Sequence, residues 1–177
     1  AEDGLGDTLR PSLDAMGADV SNIHAIKGSL TFDSKGMELL RSYITSIQPL
    51  LLIIDPLVAY LGAGIDLHRA NEVRAITCQL AAIAERYSIA ILAIRHLTKG
   101  VMSKPIYRGL GSIDITAACR SVLLAGGDAE NPQSLALVHI KSNLAPMGKA
   151  IGYELREGVF YWTGESSLTA AQILAAD

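Results

Sequence analysis

The stretch Leu50-Leu51-Leu52-Ile53-Ile54-Asp55-Pro56 decides the fold. Five consecutive apolar residues do not alternate as a strand with one wet face would. The run reads as a strand covered on both faces, the pattern of a parallel sheet packed between helices. Its aspartate stands at the C-terminal end, the edge where open α/β sheets hold their ligands. A carboxylate there costs free energy unless it is paired, hydrogen-bonded or facing a metal ion. Two readings stand at this point. Asp55 is an Mg²⁺-directed aspartate of a nucleotide-hydrolysing site, or it starts a turn before Pro56.

Upstream of this strand, Ser34 can cap a helix whose apolar set is Met37, Leu40, Tyr43, Ile44 and Ile47, ended by Pro49. Downstream, an amphipathic helix is expected from about Arg69 to Tyr87, with Val73, Ile76, Leu80, Ile83 and Ala84 on one face. A second buried strand follows, Ile89 to Ile94, ending in Arg95-His96. Strand, helix, strand in this order is a βαβ crossover. Nearer the start, Asp7 to Met16 reads as a helix capped by Asp7 or Thr8, and Ile23 to Ile26 as a short strand. Residues 97–112 read as a polar loop. Ser121–Ala125 and Leu135–Ile140 read as strands, and Ala150–Leu155 with Val159–Trp162 as an antiparallel hairpin turning at Glu157-Gly158. The expected class is α/β, a mostly parallel twisted sheet flanked by helices with a C-terminal antiparallel hairpin. A core over residues 1–163 would be followed by a linker or short helix over 164–177.

The chain's 177 residues suit one domain, and with half of them apolar a full core is within reach. A net charge of −3 argues against general electrostatic binding to nucleic acid, though not against a local basic patch. Cys78 and Cys119 lie far apart inside apolar segments, so they read as free buried thiols rather than a disulfide or metal pair. No run reaches transmembrane length, and the first residues do not resemble a signal peptide, so a cytoplasmic location is expected.

Asp55 and Arg95-His96 end two neighbouring strands and would project into one crevice. An aspartate beside a histidine suits metal-assisted hydrolysis, with Asp holding hydrated Mg²⁺ and His touching a phosphate or water. A plain Asp–His hydrogen bond is the other reading. The four histidines, His24, His68, His96 and His139, are scattered and have no zinc spacing. No Gly-x-x-x-x-Gly-Lys-Ser/Thr occurs in these residues, and Gly109-Leu110-Gly111-Ser112 is a weak substitute.

Several segments, in order, resemble the RecA-like ATPases of the plasmid and phage hexameric replicative-helicase type, related to DnaB-like helicases. Ala1-Glu2-Asp3 is similar to the end of the strand that follows the phosphate-loop helix. Leu51–Pro56 is similar to the Walker-B strand, and Arg95-His96-Leu97-Thr98-Lys99 to the strand-end sensor. Tyr107–Ser112 resembles the segment near the central channel. Ala118–Leu123 resembles the stretch bearing an arginine finger. His139–Pro146 resembles the Lys-x-Arg/Asn segment. The resemblance spans residues 1 to about 163.

It implies a RecA-like P-loop NTPase core with ATP and Mg²⁺ as cofactors. Glu2 would activate water, Asp55 would hold the Mg²⁺ shell and His96 would sense the γ-phosphate. Arg120 and Lys141 would act in trans on a neighbouring subunit of a homo-oligomer, a hexameric ring in the intact parent. Asn143 stands where a second basic finger is found. Lys99, Lys104 and Arg108 would grip single-stranded DNA. Against this pattern the phosphate loop is missing, so the chain is expected to be a truncated core, inactive alone. The competing expectations are a non-enzymatic regulatory or oligomerisation module derived from the fold, and a RecA-like recombination or clock-type ATPase.

Overall fold

The computed structural model describes residues 4–62, 70–97 and 113–175. A π-helical turn, Leu5–Leu9, with Gly4 rather than Asp7 or Thr8 at its cap, leads into α1 (Arg10–Ala15). Gly17 then takes a left-handed conformation (φ 68°) and ends the helix. The strand expected at Ile23–Ile26 does not form. A 3₁₀ turn, Val20–Asn22, is capped by the Asp19 side chain, and irregular backbone follows.

Helix α2 (Ser34–Ile47) is capped by Asp33, one residue before the expected Ser34. The Asp33 Oδ1 accepts from the Gly36 N–H at 2.8 Å. Met37, Leu40 and Ile44 are buried one or two turns apart on a single face. Gln48, left-handed at φ 52°, stops the helix before Pro49. The chain then enters β1 (Leu51–Ile54), turns at Asp55-Pro56, whose peptide bond is cis, and makes a 3₁₀ turn at Leu57–Tyr60. Helix α3 (Ala70–Tyr87) leads to β2 (Ala90–Ala93). The two strands pair in parallel, Leu51 opposite Ala90 and Ile54 opposite Ala93. The crossover read from the sequence is therefore present.

Its burial differs from expectation. Ile54 is only 4% exposed, but Leu51 is 49% and Ile53 54% exposed, and Leu92 on β2 is 44% exposed. The sequence reading had both faces covered. The reason is that α2 and α3 share one side: Leu40, Ile44, Val73, Ile76 and Ile83 form one cluster with Ile54. No described element packs on the face of Leu51 and Ile53. Cys78 also departs from expectation, since it is exposed on α3; both cysteines are free thiols.

A six-residue helix that the sequence reading missed, α4 (Ile113–Ala118), buries Ile115 in this first cluster. From it the chain passes into β3 (Ser121–Gly127), β4 (Leu135–Ser142), β5 (Ala150–Arg156) and β6 (Val159–Ser166). These form one antiparallel sheet in chain order. Among the described residues only β1–β2 is a parallel pair, so the expectation of a mostly parallel sheet is corrected. Parallel strands need a crossover of about a dozen residues or more. The 128–134 turn and the Glu157-Gly158 turn are too short for one. The hairpin's outer end is braced by rings: Tyr153 stacks on Phe160 at 5.1 Å, and Phe160 meets Trp162 edge-on at 4.7 Å.

Helix α5 (Ala170–Ala175) forms within the stretch expected to be a linker or short helix, and it docks on β3. A reciprocal cap starts it: the Thr169 N–H donates to Gln172 Oε1 at 3.0 Å, and the Gln172 N–H to Thr169 Oγ1 at 3.4 Å. Ile173 and Leu174 enter a second cluster with Leu124, Ala136 and Leu168. No helix among the described residues is long and apolar enough to cross a membrane.

Docking of α5 depends on Gly126, because a Cβ there would collide with Ile173 Cγ2. Ile173 is buried and β-branched, so it has little room to yield. Gly126→Ala is expected to lower stability by about 1–3 kcal/mol in urea unfolding. In an Ile173→Ala background the same change should cost less than about 0.5 kcal/mol, because the two positions share one contact. Equal costs in both backgrounds would contradict this packing.

Candidate functional site

Asp55 leaves β1 at its C-terminal end and is half-buried. The turn before Pro56 does form, so half of the simpler reading is realised. The 3₁₀ turn that follows is capped by Pro56 rather than by Asp55. Among the described residues the Asp55 carboxylate has neither a hydrogen-bond nor an ion-pair partner. It lines a cleft of about 430 Å³ whose other wall is the segment 26–31, including Lys27, Ser29 and Thr31.

Local packing holds that wall in place. The Phe32 N–H donates to the Tyr60 carbonyl at 2.7 Å, and the two rings stack at 5.6 Å. Gly36 allows the Thr31 carbonyl to sit against the first turn of α2, where any Cβ would collide with it. Thus α2, through its cap, holds three polar residues in the wall opposite Asp55. The sequence reading missed Lys27, Ser29 and Thr31. The only local signal was Gly28, which takes φ 104° among them.

Parallel pairing brings the end of β2 to the same edge as Asp55. The Leu57 N–H donates to the Ile94 carbonyl at 2.8 Å, and the Ile94 N–H to the Ile54 carbonyl at 2.8 Å. Two residues on, His96 is exposed and has no partner among the described residues. It does not line the Asp55 cleft. The two side chains therefore share an edge rather than the single crevice expected. Arg95 turns inward instead. Burial pulls its guanidinium below the usual arginine value, and the Cys119 thiol opposes that shift. Burial pushes Cys119 up, against the pull of Lys141 and Arg95.

Arg120 and Lys141 lie at the α4–β3 junction and on β4. The Arg120 side chain is exposed and without a partner among the described residues. Lys141 is half-buried, and its Nζ donates to the carbonyls of Thr116 (2.8 Å), Ala117 (2.8 Å) and Cys119 (2.7 Å). Nearby, the Gly148 N–H donates to His139 Nδ1 at 3.1 Å, which leaves the ring proton on Nε2, 3.0 Å from Ser121 Oγ. That histidine donates to the serine and cannot serve as its base. Glu2, Lys99, Lys104 and Arg108 lie outside the described residues.

A magnesium ion fits the donor set at Asp55. Mg²⁺ is commonly held by one or two carboxylates, with water and phosphate oxygens completing its octahedron. Among the described residues no cluster of three or more His, Cys, Asp or Glu side chains could form an all-protein cage. A lone carboxylate on a cleft lined by polar residues suits a cation that arrives with a phosphate ligand.

No curated protein matches the chain. The family model described as AAA domain matches residues 1–102, the segment that holds the β1–α3–β2 crossover, Asp55 and His96. That match covers more than half of the chain, which therefore belongs to the AAA domain family of P-loop ATPase-like proteins.

Proposed function

We propose that the chain is part of an ATP-hydrolysing DNA motor of the replicative-helicase kind, with Asp55 holding the Mg²⁺ of the nucleotide. The observation that carries this reading is the state of the Asp55 carboxylate. It is half-buried and unpartnered among the described residues, at the C-terminal end of a parallel strand. A carboxylate at this edge with no donor among the described residues is available to a cation. When bound, Mg²⁺ would neutralise charge on the β- and γ-phosphates.

In this reading Asp55 would hold the metal through its water shell, and His96 at the same sheet edge would contact the γ-phosphate. Glu2 accepts the proton of the attacking water. Arg120, exposed and uncommitted, reaches the phosphates of a neighbouring subunit, where a guanidinium answers charge developing on the phosphoryl oxygens. Lys99, Lys104 and Arg108 track the backbone of single-stranded DNA within a ring of subunits, six in the parent motor. The bare apolar face of Leu51, Ile53 and Leu92 fits a sheet that gains a second layer in the assembled motor.

A second reading is favoured by one observation. The sequence carries no Gly-x-x-x-x-Gly-Lys-Ser/Thr motif, the usual source of ground-state phosphate binding. A regulatory or oligomerisation module built on the fold would need no such motif. ATP turnover by the full-length gene product separates the two readings.

In that full-length protein, Asp55→Asn should lower Mg²⁺-dependent ATP turnover by at least about 100-fold, with an unchanged circular dichroism spectrum. Turnover within about three-fold of wild type would sink the metal assignment, since removing a ligand of the catalytic ion costs far more. Mixing Arg120→Ala subunits with Glu2→Gln subunits should restore part of the turnover that each lacks alone, at interfaces pairing an intact Glu2 with an intact Arg120. Mixed rings as inactive as either parent would place Arg120 outside the reaction.

A further inference from the structure

We infer that Lys141 is a positioning residue that works inside its own chain, clamping the α4–β3 junction so that Arg120 is presented in one orientation. The last carbonyls of a helix have no intrahelical partner. In α4 these include the carbonyls at its end, and its last turn holds no basic residue. Lys141 supplies the missing donors from the neighbouring strand. One ammonium group meets the carbonyls of Thr116, Ala117 and Cys119 at 2.7–2.8 Å, which commits all three of its protons.

Arg120 is the next residue, and it is held from both sides. Its carbonyl accepts from the Asn143 N–H at 2.9 Å, and the ladder continues with Ser121 opposite Ser142 and Val122 opposite Lys141. The backbone around Arg120 is fixed while its guanidinium remains exposed and unpartnered among the described residues. Helix α4 is anchored at its other side by Ile115 in the cluster that holds Ile54. The clamp therefore links the strand pair bearing Asp55 to the sheet bearing Arg120. An ammonium so committed is not free for a neighbour's phosphate, which separates the roles of Lys141 and Arg120. The purpose assigned to Arg120 rests on the motor reading above; the clamp does not.

The test is hydrogen exchange on the 177-residue chain. The amides to follow are Cys119, which bonds to the Ile115 carbonyl, and Asn143. Lys141→Met should speed exchange at both by at least about ten-fold, the scale of lost charge-assisted hydrogen bonds, and leave α3 within about two-fold. Lys141→Arg should recover most of the protection, because a guanidinium can also donate to several carbonyls. If the methionine variant is insoluble, Lys141→Gln, with two donors for three carbonyls, should lie between. Unchanged exchange in the methionine or glutamine variant overturns the clamp. In the full-length ATPase, Lys141→Met should lower kcat with KM for ATP unchanged, and Lys141→Arg should rescue it. A loss of turnover without faster exchange would mean that Lys141 acts on the nucleotide itself. Arg120→Ala should lower turnover without altering exchange. If turnover survives that change, the motor role of Arg120 fails while the clamp stands.

Discussion

Everything about the site follows from the parallel pairing of two short strands. Leu51–Ile54 and Ala90–Ala93 run the same way only because the 18-residue helix Ala70–Tyr87 carries the chain back across the sheet. Had they been joined by a tight turn, their ends would point in opposite directions. Parallel pairing puts Asp55 and the Arg95-His96 pair at one edge. Burial of Ile54 against α2 and α3 fixes the strand's face, since a one-residue slip would turn Ile53 inward and Ile54 out. Asp55 is held by that register and by the turn after it, rather than by any bond from its own carboxylate.

The same geometry explains which parts of the molecule the sequence made readable. Periodicity carried α2, α3 and the β1–β2 crossover, because burial on one face leaves a regular mark on a long helix. The hairpin at Glu157-Gly158 was equally legible, since both residues adopt the positive φ that such a tight turn needs (52° and 82°). The uncovered face of β1 was not, because apolar residues at Leu51 and Ile53 look alike whether a layer lies over them or not. Nor was α4, whose six residues span less than two turns and give no period to detect. The antiparallel character of the second sheet was encoded in short turns, yet the apolar strands drew the reading toward a parallel core.

Among the candidate residues, Asp55 and His96 stood out because each follows an apolar strand segment. The Lys27–Thr31 wall did not, since its approach to Asp55 depends on the Asp33 cap and on the missing side chain at Gly36. Lys141 shows the same limit in another form. The resemblance of its segment implied a group acting on a neighbour, whereas its Nζ donates to carbonyls more than twenty residues earlier in its own chain. Membership of the AAA domain family fits a nucleotide-directed edge on the first sheet. What the antiparallel sheet contributes is a firm mount for Arg120 at some distance in sequence from Asp55.

Asp55 is proposed as the protein ligand of a nucleotide-bound divalent cation. Paramagnetic broadening by Mn²⁺ with ATP, read by NMR on the full-length protein, tests that directly. Broadening is expected to centre on the Asp55 carboxyl carbon, to fade through Thr31 and Ser29 across the cleft, and to disappear when excess Mg²⁺ displaces the manganese. Broadening centred elsewhere, for instance on the exposed Asp128-Ala129-Glu130 turn, with Asp55 unaffected, would contradict the assignment.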